Sequence, residues 1–276
     1  MATILVSAGG TGGHLFPAEA LSAELVRRGH RVELATDERA GKLVEAFPAA
    51  AVHVVPSATF GGGGLPGRIR TLWRLGVGYL RSLWLCARIR PQVVVGFGGY
   101  PTLPPLIAAR TLWRPTLVHE ANAVAGRANR LLARLSHVAT SFPTVRGLAG
   151  LRVPPVRTGL PVRGAVRAVA GVHYPPLSSE EPFRLLVFGG SQGARVFADV
   201  VPDAVARLPE ALRARLRVTQ QCRPEDIGRV RTAYVEAGVE VELGAFFSDL
   251  PARMAASHLV IARAGASTVG ELATIG

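Results

Sequence analysis

Short apolar runs alternate along this chain with longer segments whose apolar residues recur at helical spacing. Strands are expected at 3–7, 31–36, 51–55, 92–95, 116–119 and 137–140, and helices at 17–28, 38–46, 68–89, 101–112 and 126–135. Alternation at this spacing predicts an α/β fold, a parallel sheet with helices on both faces. Ligands of such sheets sit at the carboxyl ends of the strands. Proline and glycine interrupt the pattern over 159–182, which then restarts with a strand at 183–188, a glycine loop at 189–193 and a helix at 194–208. Further strands are expected at 215–219, 239–242 and 258–262, with helices at 224–237, 248–256 and from 267 onward. The organisation read from this is a first domain over 1–160, a linker over 161–182 and a second, similar domain over 183–276. The chain stops at Gly276 where another strand would be due, so the second domain is expected to be incomplete and the chain a fragment.

Composition narrows the setting. Of the 276 residues, 49% are hydrophobic, enough to bury cores. Cys86 and Cys222 have no paired spacing, which argues against a disulfide framework or a zinc site and for a reduced, cytoplasmic setting. The N-terminus lacks the marks of a signal peptide, and no apolar run reaches the ~18 residues that span a bilayer. The net charge of +13 is unevenly placed. Residues 1–157 hold 19 basic and 7 acidic side chains, and residues 158–276 hold 13 and 12. Between Glu45 and Glu120 lie eight arginines and no acid. A one-sided basic surface points to an anionic partner: membrane phospholipid, nucleic acid or a phosphorylated substrate. No aromatic-rich RNA motif or helix-turn-helix pattern supports nucleic acid. The helix over 68–90 favours a membrane surface. At ~100° per residue, Arg70, Arg74, Arg81 and Arg88 share one stripe, while Trp73, Leu80, Trp84 and other apolar residues cover most of the remainder. A buried helix with one solvated arginine stripe is the alternative.

Candidate chemistry lies in the loops after the strands. Residues 9–14, Gly-Gly-Thr-Gly-Gly-His, have neither the Gly-Lys-Ser/Thr of a P-loop nor the third glycine of a dinucleotide fingerprint. His14 beside those glycines suits a general base near neutrality, and a structural histidine in a tight turn is the plain alternative. Gly96-Phe97-Gly98-Gly99 opens the backbone after another strand. His119, Glu120 and Asn122 could hydrogen-bond a polyol, and a salt bridge from Glu120 to an arginine is the rival reading. Gly189-Gly190-Ser191-Gln192-Gly193 suits a phosphate at a helix start. Over Arg263–Glu271, Glu271 could take two ribose hydroxyls, or close a capping box on Ser267 or Thr268.

Six motifs then occur in order: Gly9–Pro17, Gly98-Gly99-Tyr100, His119-Glu120-x-Asn122-x-x-Ala125-Gly126, Gly159-x-Pro161-Val162-Arg163, Gly189–Arg195 and Arg263-x-Gly265-Ala266-x-Thr268-Val269-x-Glu271. Together they resemble the MurG family of bacterial glycosyltransferases over essentially the whole chain. The resemblance implies a GT-B fold, two Rossmann-like domains with an interdomain cleft, and no required metal or other cofactor. It implies transfer of N-acetylglucosamine, with inversion, from UDP-N-acetylglucosamine to the muramoyl 4-hydroxyl of lipid I, giving lipid II for peptidoglycan. The expected location is peripheral, on the anionic cytoplasmic face of the bacterial inner membrane. Carried over by motif, His14 would be the base, Thr11, Gly12 and Gly13 would meet the donor, and Asn122 the sugar. Arg163 would lie near the nucleotide, Ser191 would hold a phosphate, and Phe247 would fall at the uracil. Ala266, Ser267, Thr268, Val269, Gly270 and Glu271 would line the phosphates and ribose. Ala264, Ala121 and Leu160 depart from the common serine, glutamine and asparagine. Another GT-B transferase acting on a membrane lipid, or a non-catalytic UDP-sugar-binding subunit, stays open at this point.

Overall fold

The computed structural model describes residues 1–58, 64–178, 181–190 and 194–276. It falls into two units, Met1–Arg163 and Gly164–Gly276.

The first unit is a seven-stranded sheet ordered β3-β2-β1-β4-β5-β6-β7, parallel throughout. Its strands are β1 Thr3–Ser7, β2 Arg31–Thr36, β3 Ala51–Val54, β4 Val93–Gly96, β5 Thr116–Glu120, β6 His137–Thr140 and β7 Val156–Arg157. Its helices are α1 Gly12–Arg27, α2 Gly64–Ile89, α3 Leu103–Thr111 and α4 Arg127–Leu132. Strand alternation sends Leu5 and Val94 into a core with Leu85, Leu103 and Leu106, while Ile4, Val6 and Val95 join Leu15 and Ala18 on the other face. Both faces are thus covered, as a parallel sheet requires. Strands β1 and β4, adjacent in the sheet though not in sequence, pair at Ile4↔Val93 through Ser7↔Gly96, and the strand order reverses between them. That switch point puts the loops after β1 and β4 side by side.

The second unit repeats the plan. Its strands β8 Phe183–Phe188, β9 Leu216–Gln221, β10 Glu240–Gly244 and β11 Leu259–Ala262 form a parallel sheet ordered β10-β9-β8-β11. Its helices are α5 Gly164–Arg167, α6 Arg195–Ala206, α7 Glu210–Arg213, α8 Ile227–Glu236, α9 Leu250–Ala256 and α10 Ala266–Ile275. Leu185, Val187, Val201, Val205, Val218, Val230 and Tyr234 make its core. Buried Gln220 is satisfied there, accepting from the Tyr234 hydroxyl at 2.6 Å and donating to the Phe197 carbonyl at 3.1 Å. The switch point lies between β8 and β11.

The α/β reading holds, with local corrections. The first helix begins at Gly12, not Pro17, because extended Thr11 supplies the N-cap position and its carbonyl accepts from the His14 and Leu15 amides at 3.0 Å each. The helix expected at 38–46 is a 3-10 segment, Glu38–Val44, broken where Gly41 takes φ 43° and ψ −129°. Strand β7 escaped the sequence pattern, being two residues long behind two prolines. Residues 164–178, read as linker, carry α5, whose Val166 is fully buried, and Tyr174, whose hydroxyl donates to the His258 carbonyl at 2.7 Å.

Candidate active site

In the first unit, His14 stands in the opening turn of α1, at the carboxyl end of β1. Its Nδ1–H donates to the Phe97 carbonyl at 2.9 Å. A carbonyl only accepts, so this bond fixes the tautomer and leaves the lone pair on Nε2. Three glycines wall the ring. A Cβ at Gly9 would lie 3.3 Å from the imidazole, one at Gly98 3.2 Å and one at Gly99 3.4 Å. Gly98 and Gly99 also take φ +98° and +80°, conformations that side chains rarely adopt. The glycine loops after β1 and β4 therefore grip the imidazole edge-on. Burial against them holds the His14 pKa below the ordinary imidazole value, the Phe97 hydrogen bond and the nearby Glu120 charge pull it up, and Arg39 pulls it down. The ring is a neutral base at neutral pH.

Glu120 ends β5 and is 2% exposed. Its Oε1 accepts from the Asn122 amide at 2.9 Å and Asn122 Nδ2 at 3.0 Å. Its Oε2 accepts from the Gly126 amide at 3.0 Å and Asn129 Nδ2 at 2.8 Å. The arginine salt bridge suggested for it is not found among the described residues, and its carboxylate oxygens accept from its own loop and from Asn129 of α4. Glu120 is the organiser of residues 121–126 rather than a polyol ligand. The exposed Asn122 keeps its amide nitrogen tied to Glu120 and its Oδ1 as the remaining acceptor. His119 is also committed inward: it is 3% exposed, its Nε2–H donates to the Gly159 carbonyl at 3.0 Å, and its ring meets Phe97 at 5.3 Å. Arg163 lays its guanidinium 3.8 Å from the ring centroid of Phe16, one turn beyond Gly12 and Gly13 on α1.

In the second unit, Gly190 takes φ +84° after β8, and the Gly189 amide donates to Gln221 Oε1 at 3.2 Å. Ser191, Gln192 and Gly193 lie outside the described residues. After β11, the chain turns through the Gly265 amide bonded to the Arg263 carbonyl at 2.7 Å, and α10 starts with Gly265 as N-cap. The capping-box reading of Ser267 or Thr268 with Glu271 fails, since both hydroxyls stand inside the helix, past its cap. Ala266, Ser267, Thr268, Val269 and Gly270 thus form the amino-terminal turn of a helix at a topological switch point, where partial positive charge gathers. Glu271 follows, 5% exposed. Phe247, after β10, packs under Arg253, whose guanidinium sits 4.4 Å from the ring centroid. Arg253 is itself anchored by Glu242 at 2.5 Å and Asp249 at 2.8 Å. Among the described residues, no three His, Cys, Asp or Glu side chains gather as metal ligands.

Residues 4–140 match the glycosyltransferase family 28 N-terminal domain, and residues 184–276 match its C-terminal domain. The chain belongs to glycosyltransferase family 28. A relative in Mesorhizobium japonicum is 54% identical over 275 residues, 99% of this chain and 73% of its own length. One in Methylobacterium sp. (strain 4-46) is 56% identical, over 99% of this chain and 74% of its own. Both are named UDP-N-acetylglucosamine–N-acetylmuramyl-(pentapeptide) pyrophosphoryl-undecaprenol N-acetylglucosamine transferase. The crystal structure of Acinetobacter baumannii MurG superposes with a TM-score of 0.70 at 25% identity, covering 98% of this chain and 75% of that one. The MurG-family resemblance is borne out, and the family 28 fold is GT-B. What the residue pattern missed is mostly backbone: the Phe97 carbonyl that orients His14 has no side-chain signal, and Asn129 reads as an ordinary helix-surface amide.

Proposed function

We propose that this chain transfers N-acetylglucosamine from UDP-N-acetylglucosamine to the muramyl unit of N-acetylmuramyl-(pentapeptide) pyrophosphoryl-undecaprenol, lipid I, in peptidoglycan synthesis. The observation that carries the mechanism is His14, neutral, fixed by the Phe97 carbonyl and offering Nε2. As the muramyl 4-hydroxyl oxygen bonds to the anomeric carbon of the donor, its proton passes to Nε2. The bond from that carbon to UDP breaks, and one displacement inverts the configuration. The departing diphosphate gathers negative charge, which oriented helix N-termini and a guanidinium stabilise.

The roles of the binding residues follow the family motifs and the local geometry. On the second unit, the opening turn of α10 suits the phosphates, Glu271 the ribose and the Phe247 segment the uracil, with Ser191 on a phosphate. On the first unit, Thr11, Gly12 and Gly13 face the donor at the start of α1, Asn122 offers Oδ1 to the sugar, and Arg163 contributes its charge from its perch on Phe16.

The acceptor's lipid asks for a membrane surface, and α2 supports one. Its buried face is made of small and polar residues, Thr71, Gly78, Ser82 and Cys86 with Leu85. Trp73, Leu80 and Trp84, within about 40° of one another on the opposite side, are 73%, 64% and 62% exposed. Arg70, Arg81 and Arg88 edge that face and are exposed. No helix among the described residues is long and apolar enough to cross a membrane, and a peripheral contact with anionic lipid fits this arrangement.

His14→Ala tests the proposal. Turnover should fall about 10²- to 10⁴-fold, the usual worth of a general base, while the Kd for UDP-N-acetylglucosamine by calorimetry stays unchanged. Near-normal turnover would reject the base, and a matching loss of donor affinity would make His14 a donor ligand instead.

A further inference from the structure

At the carboxyl ends of β2 and β3 lies a cavity of about 280 Å³ that the mechanism leaves unused. Asp37, Glu38, Arg39, Ser57 and Arg74 supply its polar lining. It adjoins the base's own loop: a Cβ at Gly10 would stand 2.3 Å from Asp37 Oδ1 and 2.7 Å from the Arg39 carbonyl carbon. Its far wall is α2, where Arg74 follows the exposed Trp73 directly. The charges inside are unequal in availability. Asp37, 7% exposed, is tied to Arg39 at 2.6 Å, so this pair is largely self-neutralised. Glu38 is exposed to solvent. Arg74 is half-buried and makes no hydrogen bond or ion pair with any other described residue. The cavity thus offers one uncommitted guanidinium and a serine hydroxyl, with the Asp37–Arg39 ion pair as wall and the Glu38 carboxylate turned to solvent. Its volume falls below the ~300 Å³ at which small-molecule pockets usually begin, so it suits one charged group rather than a sugar or a peptide.

We propose that this cavity, through Arg74 and Ser57, holds the pyrophosphoryl group of the lipid acceptor. The inference rests on the acceptor reading above and adds its anionic subsite. In the acceptor, pyrophosphate joins the reacting sugar to the apolar chain. The sugar is placed by His14 and the chain by the exposed face of α2; the cavity is walled on one side by the Asp37–Arg39 turn, against which Gly10 of the His14 loop packs, and on the other by α2 at Arg74. Guanidinium matches phosphate oxygens in a bidentate fork that an ammonium cannot reproduce.

The test is equilibrium binding to the full chain, without turnover, using two soluble probes. Both carry a muramyl-pentapeptide and a short prenyl chain, joined in one by pyrophosphate and in the other by an uncharged linker. The unaltered protein should bind the pyrophosphate probe at least tenfold more tightly. Arg74→Gln should bind both probes with the affinity the unaltered protein shows for the neutral one. Its thermal melt, its affinity for UDP-N-acetylglucosamine and its binding to vesicles containing phosphatidylglycerol should not change. Tenfold discrimination that survives in Arg74→Gln would overturn the subsite while leaving the acceptor reading intact. Equal losses for both probes would make Arg74 a packing residue, and lost vesicle binding with intact discrimination would assign it to lipid headgroups. If the unaltered protein binds neither probe, the acceptor reading itself fails.

Discussion

At the residue scale, burial keeps two histidines, His14 and His119, uncharged at neutral pH. Burial lowers the pKa of His14 and of His119, outweighing their backbone hydrogen bonds to Phe97 and Gly159 and the nearby Glu120 charge. In the unfolded chain both return to the ordinary imidazole value of about 6.5. Between that value and the lowered ones, the unfolded state binds more protons, so stability rises with pH and is lost on acidification. Urea midpoints should be higher at pH 7.5 than at pH 5.5, and replacing both histidines with glutamine should flatten the difference. A midpoint that rises on acidification would contradict this. His14 was legible in the sequence because a histidine after four glycines is unusual. Glu120 was misread, since its donors are amides of its own loop and of Asn129 on α4, and no spacing rule reveals them. The direction of an Asn122 or Glu271 side chain likewise depends on backbone geometry that residue types do not encode.

At the element scale, the helices show how close approach and exposure divide one sequence between packing and function. Helix α2 holds two interior glycines with opposite surroundings. A Cβ at Gly76 meets nothing within 4 Å, whereas one at Gly78 would lie within the Pro56 carbonyl oxygen, 2.1 Å away. Helix propensity alone favours alanine at either place by about 1 kcal/mol. Gly76→Ala should therefore stabilise by up to that amount in chemical denaturation, and Gly78→Ala should destabilise by about 1–3 kcal/mol through overpacking. Equal effects would contradict the packing described. The outer face makes a second prediction. Trp73→Ser with Trp84→Ser should weaken binding to anionic vesicles several-fold with little change in the melt, because both rings are solvent-exposed. Unchanged vesicle binding would remove α2 as the membrane contact. Strand positions were largely readable because β-branched and apolar runs sit between turn residues. Helix starts were less so: α1, entered through an extended threonine, begins at Gly12, five residues before Pro17, where it was expected, whereas α10 begins at Ala266, one residue from the expected 267.

At the scale of the whole molecule, two parallel-sheet units each bring a glycine loop and a helix start to the point where strand order reverses. That repetition was visible in the sequence as Gly-Gly-Thr-Gly-Gly answered by Gly-Gly-Ser-Gln-Gly, each between a strand and a helix; Gly9 and Gly10 are crowded by neighbouring chain, and Gly190 takes φ +84°. Charge divides with function: the unit that carries His14 and the exposed face of α2 also carries nearly all the basic excess, which suits an anionic lipid acceptor. The cavity beside Arg74 had no sequence signature, because its walls come from β2, β3 and α2 and meet only in the fold. The most direct test of the account is transfer of radiolabel from UDP-N-acetylglucosamine to a soluble lipid I analogue, run beside diacylglycerol and a free muramyl-pentapeptide. A labelled disaccharide is expected on the lipid I analogue, abolished by His14→Ala; label on diacylglycerol with none on the lipid I analogue would contradict the proposed activity.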